Sequence, residues 1–186
     1  MSHFVATDTD LLGVKLIRRQ LLGDARGFFS RFFCAEKLAQ VGWTKSIAQI
    51  NHTFTAERGT IRGMHFQYPP DAEMKLVSCT RGEVWDVAVD LRRDSPTFLQ
   101  WHAEHLSADN HCALLIPEGF AHGYQTLTDN VELLYCHSSS YAPHSEAGLH
   151  ALDKRLAIAW PLTPNGLSVR DSGYAMIDDT FQGVIL

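Results

Sequence analysis

The sequence has no long apolar run and no excess of basic residues. Its apolar stretches, such as residues 11–17, fall well short of the ~20 residues that a membrane-spanning helix needs. Its 16 Lys and Arg are outnumbered by 21 Asp and Glu, which gives a net charge of −5. We therefore expect no membrane span and no general nucleic-acid binding. The N-terminus also lacks a basic segment followed by an apolar one, so the expected location is the cytoplasm.

Cysteine pairs and nucleotide-binding motifs are also missing. Cys34, Cys79, Cys112 and Cys136 are far apart and form no C-x-x-C pair, so we expect buried thiols rather than a disulfide framework. Neither G-x-x-x-x-G-K-[ST] nor G-x-G-x-x-G occurs, and strands do not alternate with helices. These absences disfavour a doubly wound nucleotide-binding fold.

The ten histidines include no H-x-H and no H-E-x-x-H spacing. Cupins often bind a metal through a His-x-His pair with a nearby Glu and a later His. Only His65 and His122 are candidates for inward-facing ligands, and two ligands are too few for an ordinary site. We therefore predict neither a metal nor another cofactor.

Short apolar segments alternate with turn sequences about every ten residues, which is typical of an all-β protein. In the clearest strand, after Gly82, Trp85, Val87 and Val89 alternate with polar or small residues. Further strands are expected at residues 14–18, 27–33, 47–55, 61–67, 75–80, 98–106, 113–116, 122–127 and 132–140. Helix signals are limited to residues 35–41 and a single turn at 153–156.

About ten strands in this length predict a cupin-like double-stranded β-helix jelly roll with a few short helices. We expect one domain over residues 1–186. Its core would cover residues 8–161, and residues 162–186 would pack over the sheets as a tail.

Titratable side chains lie inside several apolar segments, namely Arg62, His65, Lys75, His122 and Tyr135. Such groups are costly to bury, and they usually mark a site or a paired network. Taken singly, a strand histidine or tyrosine is more often structural. Together they favour proton abstraction beside a carbonyl, with His as base, Lys or Arg at the developing oxyanion, and Tyr as acid.

Strand alternation raises one difficulty, because it puts Arg62 and His65 on opposite faces. Gly63 between them can host a β-bulge that redirects one side chain. Lys75 shares its parity with the apolar Val77 and Cys79, so it is expected to point inward.

Several blocks of sequence, in order from about residue 8 to 173, resemble the dTDP-4-dehydrorhamnose 3,5-epimerase family. They are Asp24-Ala25-Arg26-Gly27-Phe28-Phe29, Gln49-Ile50-Asn51-His52, Ile61-Arg62-Gly63-Met64-His65-Phe66-Gln67, Lys75-Leu76-Val77, Gly82-Glu83-Val84-Trp85-Asp86-Val87-Ala88-Val89-Asp90, Ser95-Pro96-Thr97-Phe98, Ile116-Pro117-Glu118-Gly119-Phe120-Ala121-His122-Gly123 and Tyr141-Ala142-Pro143. So many blocks in register make the resemblance specific.

The resemblance implies a metal-independent enzyme that acts on a nucleoside-diphosphate 4-keto-6-deoxyhexose in deoxysugar pathways such as dTDP-rhamnose and lipopolysaccharide biosynthesis. His65 would be the base, and Asp171 in the tail would orient it. Lys75 would stabilise the enolate oxygen, and Tyr135 would return a proton to the opposite face of the sugar.

The resemblance also implies substrate-binding residues and a homodimer. His122 and Tyr141 would line the sugar pocket. Arg26, Gln49, Asn51 and Arg62 would hold the diphosphate and adjoining groups, and residues 1–33 would contribute to the partner's site.

Departures from the family pattern leave several points open. Ser30-Arg31 stands where an aromatic residue and Glu are usual, and Gln49-Ile50-Asn51 stands where Gln-Asp-Asn is common. The nucleotide is therefore open among dTDP, CDP, GDP and UDP, and the inverted centre is C3, C5 or both. Alternatives are a non-catalytic sugar-nucleotide binding protein, a ketoisomerase and a metal-dependent oxygenase on the same fold.

Overall fold

The computed structural model describes residues 4–186, and β-strands dominate it. The strands are β1 (Phe4–Asp8), β2 (Lys15–Arg19), β3 (Leu22–Asp24), β4 (Gly27–Phe29), β5 (Gln49–Thr55), β6 (Ile61–Gln67), β7 (Lys75–Arg81), β8 (Glu83–Asp90), β9 (Trp101–Ser107), β10 (Cys112–Ile116), β11 (Phe120–Thr126), β12 (Val131–His137) and β13 (Glu146–Gly148); the helices are α1 (Ala35–Ala39) and α2 (Val169–Ser172). Neither helix in this part of the chain is long and apolar enough to cross a membrane.

The strands form two facing antiparallel sheets and a separate hairpin. One sheet has the order β1-β2-β10-β7-β12-β5, the other has the order β13-β6-β11-β8-β9, and β3 pairs with β4. Val77 and Leu133 of the six-stranded sheet pack with Val84 and Ala88 of the five-stranded sheet in one buried cluster. This arrangement confirms the cupin-like jelly roll.

Both sheets are also covered on their outer faces. On the six-stranded sheet, Leu38 of α1 and Trp43 pack against Leu76 and Leu115. On the five-stranded sheet, residues from the C-terminal quarter of the chain, including Ile177, join a cluster with strand residues such as Val87. Most strand side chains of β8 are therefore buried on both faces, and its alternation does not separate core from solvent.

The single helical turn expected at 153–156 is present, because the backbone N–H of Ala157 donates to the carbonyl oxygen of Asp153 at 2.9 Å. Asp153 lies in a loop, where its carboxylate accepts hydrogen bonds from the backbone N–H groups of Arg155 and Ile177. Side-chain acceptors of this kind stabilise an isolated turn that is not continued as a helix. The strand expected at 27–33 ends at Phe29, because it pairs only with the three-residue β3. Strands β1, β3 and β13 and helix α2 were not predicted.

Candidate active site

A cavity of about 260 Å³ opens between the two sheets. Eight residues predicted from the sequence line it: Gln49, Asn51, Arg62, His65, Lys75, His122, Tyr135 and Tyr141. They come from β5, β7 and β12 of one sheet, from β6 and β11 of the other, and from the loop after β12. Since the facing sheets supply opposite walls, a ligand in this cavity would be contacted from two sides.

A bulge in β6 brings Arg62 and His65 into the same cavity. Arg62 is paired with Tyr124 and His65 with His122, so β6 advances three residues while β11 advances two. The expected bulge at Gly63 is therefore confirmed. Gly63 has φ +122°, and a Cβ at this position would lie 2.5 Å from the Cα of Gly123. This close approach explains why a glycine occupies the position.

His65 is held by a carboxylate from a distant part of the chain. Its Nε2 lies 2.7 Å from Oδ1 of Asp171, which is 106 residues away in sequence. Asp171 lies on α2, where its backbone N–H donates to the capping hydroxyl of Ser168. The second carboxylate oxygen accepts from the backbone N–H of Gly63 at 3.3 Å. These contacts fix the carboxylate against the bulge.

The pairing with Asp171 determines which atom of His65 is available for chemistry. A carboxylate only accepts hydrogen bonds, so the shorter contact with Asp171 favours a proton on Nε2 and leaves Nδ1 as the basic nitrogen, while the Arg170 guanidinium lies 3.1 Å from the same Nε2. Burial raises the pKa of Asp171, but the hydrogen bond and charge of His65 outweigh this and hold it below its usual value. Asp171 is therefore an anion that can stabilise a charged imidazolium.

Lys75 and Tyr135 lie on the wall opposite β6. The Nζ of Lys75 donates to the backbone carbonyl of His65 at 3.3 Å, which places the ammonium beside this residue. The phenolic oxygen of Tyr135 accepts a 3.4 Å hydrogen bond from Thr53. Burial raises the pKa of Tyr135 well above its ordinary value, and the neighbouring Tyr124 raises it further. Tyr135 is therefore protonated near neutral pH and can act as a proton donor.

A second histidine–carboxylate pair lies beside Tyr135. Nε2 of His122 is 2.8 Å from Oδ1 of Asp86, and the His122 ring meets the Tyr135 ring edge-on at 5.9 Å. Oδ2 of Asp86 is buried without a hydrogen-bond partner among the described residues. Two of the imidazoles that line the cavity are thus each bound through Nε2 to an aspartate.

Comparison with known proteins identifies the family of this chain. The sequence model described as dTDP-4-dehydrorhamnose 3,5-epimerase matches residues 8–179. The chain belongs to the dTDP-4-dehydrorhamnose 3,5-epimerase family. The Salmonella typhimurium enzyme of that name is 38% identical over 176 residues, which are 94% of this chain and 96% of the relative.

Two solved structures of the epimerase family match closely. The enzyme from Bacillus anthracis, with TDP and PPi bound, is 42% identical with a TM-score of 0.90, and the match covers 94% of this chain and 99% of that one. The enzyme from Legionella pneumophila, in complex with dTDP-4-keto-L-rhamnose, is 37% identical with a TM-score of 0.91, covering 99% and 100%. The resemblance to the epimerase family is therefore confirmed over nearly the whole chain.

Two of the ten residues assigned by resemblance to the epimerase family do not line the cavity. Asp171 lies behind His65, as described. Arg26 lies in the turn of the β3–β4 hairpin, is 89% exposed, and pairs with Asp24 at 2.6 Å. The structure therefore does not bring Arg26 together with the other nine within one chain.

Several residues that line the cavity were not predicted from the sequence. They include Glu73, His137, Glu146 and Arg170. His137 has the same strand parity as Tyr135, so alternation within β12 was a usable signal. Glu73, in a loop, and Arg170, on the four-residue α2, carry no periodic signal. Within residues 4–186, no group of three or more His, Cys, Asp or Glu side chains is arranged to hold a metal ion.

Proposed function

We propose that this protein inverts C3 and C5 of a dTDP-linked 4-keto-6-deoxyhexose by proton abstraction and return through an enolate. The observation that carries this proposal is the placement of three groups around one cavity. An aspartate-backed imidazole lies on one wall, and an ammonium and a protonated phenol lie on the other. C3 and C5 both flank the C4 ketone, so one enolate-stabilising group serves both centres.

In the first half of the reaction, Nδ1 of His65 takes the proton from the carbon beside the ketone. The C–H electron pair moves into the carbonyl and leaves a negative oxygen. A carbon acid of this kind is far weaker than an imidazolium, whose reference pKa is ≈ 6.5, so the step requires strong stabilisation of the enolate. Lys75 supplies it by donating from Nζ to the oxygen, and Asp171 stabilises the imidazolium.

In the second half, Tyr135 donates its hydroxyl proton to the same carbon, and the electron pair returns from the enolate oxygen to that carbon. Tyr135 is on β12 and His65 is on β6, so the proton is removed towards one sheet and returned from the other. Delivery from the opposite face inverts the centre. The resulting phenolate and imidazolium regain their starting states by proton exchange with solvent.

The cavity mouth supports a role in holding the diphosphate and sugar. Gln49 donates to Asn51 at 3.2 Å and accepts from the backbone N–H of Tyr141 at 2.8 Å. Arg62 points into the cavity and has no carboxylate partner within 4 Å among the described residues, so its guanidinium is available for phosphate. We assign these residues to the diphosphate and His122 and Tyr141 to the sugar.

The same proposal includes a homodimer of single-domain chains covering residues 1–186. Leu22, Phe28 and Phe29 of the β3–β4 hairpin are exposed, as are Ile50 and Phe54 of the edge strand β5. Exposed apolar clusters of this kind favour association. In such a dimer Arg26 would serve the partner's cavity together with other residues of the segment 1–33, of which 1–3 lie outside the described residues.

The test is incubation in D2O with a panel of 4-keto-6-deoxyhexoses linked to dTDP, CDP, GDP and UDP, followed by NMR. We expect deuterium at both C3 and C5 and the inverted product, with the dTDP sugar fastest. Lys75→Ala should lower the rate by ~10²–10³-fold, as for the loss of one oxyanion donor. Binding of every sugar without deuterium incorporation would contradict the proposal. Deuterium at only one of the two carbons would limit the proposed inversion to that carbon.

A further inference from the structure

A chain of four polar side chains runs along one wall of the cavity from β5 to Lys75. Nδ2 of Asn51 is 3.4 Å from Nε2 of His137, and Nδ1 of His137 is 2.7 Å from Oε2 of Glu73. Oε1 of Glu73 is 3.1 Å from Nζ of Lys75. The side chains of Lys75, Glu73 and His137 are only 7%, 10% and 10% exposed. The proposed mechanism uses Lys75 but neither Glu73 nor His137.

The donors and acceptors of this chain are fixed by chemistry. A carboxylate only accepts, so Nδ1 of His137 carries the proton and Nε2 accepts from the amide of Asn51. Burial raises the pKa of Glu73, but the Lys75 ammonium and the hydrogen bond from His137 outweigh this and lower it to about 2. Glu73 is therefore charged across the neutral range, with one oxygen on each neighbour.

We propose that Glu73 is a positioning residue that keeps the buried Lys75 ammonium charged and directed at the enolate oxygen, and that His137 holds Glu73 in place. This inference rests on the proposed function, because Lys75 is assigned there to the enolate.

The buried surroundings of Lys75 make its charge depend on a nearby anion. An ammonium out of water is disfavoured unless a nearby anion stabilises it, and a neutral amine is a poorer donor to an oxyanion. Among the described residues, Glu73 is the one carboxylate within 4 Å of Nζ. The other titratable or charged groups that line the cavity with Lys75 are Arg62, His65, His122, Tyr124, Tyr135, His137, Tyr141, Glu146 and Arg170. The one carboxylate among them, Glu146, is paired with Arg170 at 2.8 Å and has no ion pair with Lys75.

The experiment is the pH profile of kcat for deuterium incorporation in Glu73→Gln, which keeps the side-chain shape and removes the charge. We expect the alkaline limb to move to lower pH by about 1 unit or more. At alkaline pH kcat should fall by about 10²-fold with KM nearly unchanged, because oxyanion stabilisation is lost. His137→Gln should move the limb in the same direction by less, since Glu73 remains but loses its anchor.

A matched control is available in the exposed pair of His52 and Glu132, which bridges β5 and β12 at 3.1 Å outside the cavity. His52→Gln should leave the profile unchanged. Titration of Tyr135 does not explain a shift of the alkaline limb to lower pH in Glu73→Gln, because burial raises the pKa of Tyr135 well above its ordinary value.

An alkaline limb that stays in place in Glu73→Gln would overturn the inference, even if the rate fell, because a merely structural role lowers the rate at every pH. Should Glu73→Gln fail to fold by thermal melting, His137→Gln decides by the same criterion. A wild-type protein without any exchange would instead contradict the proposed function. An active wild type with an unmoved limb rejects only the assigned role of Glu73.

Discussion

The two histidine–aspartate pairs of the cavity have the same chemistry and different settings. His65 is bound to Asp171 at 2.7 Å with 27% of its side chain exposed, whereas His122 is bound to Asp86 at 2.8 Å with 7% exposed. Asp86 comes from the neighbouring strand β8, and Asp171 comes from α2, whose segment lies alongside β6. Hydrogen-bond length therefore does not distinguish the two histidines, whereas the exposure of the ring and the origin of the carboxylate do, and our proposal of His65 as the base rests on these.

The largest expected difference between the pairs is in the histidines. His65→Asn should lower kcat for deuterium incorporation by about 10³-fold or more, because it removes the base. His122→Asn should raise KM and leave kcat within about tenfold, because His122 is assigned to sugar binding. Steady-state kinetics with NMR detection separates the two. Equal losses of kcat in both variants would contradict the assignment of His65 to proton abstraction and of His122 to sugar binding.

The aspartates should differ in the same direction but by less. Asp171→Asn should lower kcat by about 10²-fold, because the imidazolium loses its anion and the tautomer is no longer fixed. Asp86→Asn should affect the rate less and instead cost about 1–3 kcal/mol in the free energy of unfolding, because it puts an amide donor where Oδ2 has no partner. Urea denaturation beside kinetics tests this. A larger rate loss in Asp86→Asn would reverse our assignment.

A third test concerns Gly63 on β6, where the backbone approaches that of β11 closely. A Cβ on Gly63 would lie 2.7 Å from the carbonyl oxygen of His122, so Gly63→Ala should cost about 2–4 kcal/mol in the free energy of unfolding. Gly27 has a similar φ of +131° with open space around it, so Gly27→Ala should cost only about 1–2 kcal/mol. Chemical denaturation measures both. Equal costs would show that the contact with β11 does not limit this position.

The smallest expected effect is on acid stability. The folded protein lowers the pKa of Asp171 below its ordinary 3.8, so its stabilising contribution is fully present above that pH and is lost as pH falls through the lower folded value. Asp171→Asn should thus be less stable than wild type at pH 6 and nearly equal to it at the lowest pH. Thermal melting from pH 6 to pH 2 measures the difference, which should shrink steadily on acidification.

Much of the site was predictable from local patterns. Parity within strands placed Lys75 inward with Val77, and the bulge at Gly63 followed from the need to bring Arg62 and His65 to one side. Asp171 was different, because nothing in a loosely patterned segment 106 residues away points to His65. It was found only through the family resemblance. Glu73 escaped both approaches, since a loop residue has no period and pairing in space leaves no trace in spacing.

In the fold, too, some elements were predictable from local sequence patterns and others were not. Apolar segments such as 61–67 and 75–80 matched their strands closely, because both ends of each strand are fixed by pairing in a sheet. The missed β13 has three residues and α2 has four, and each is held by contacts with β6 rather than by its own propensity.

The cap of α2 has a consequence for control of the enzyme. The sheets carry the imidazole, but its carboxylate is supplied by a short helix held beside β6 by its Ser168 cap and by the backbone N–H of Gly63. Local opening of that segment would leave the jelly roll intact and the His65 ring free to rotate and to change tautomer. With His65 as the proposed base, we expect activity to be lost before global unfolding, at a temperature or denaturant concentration set by the docking of a few residues.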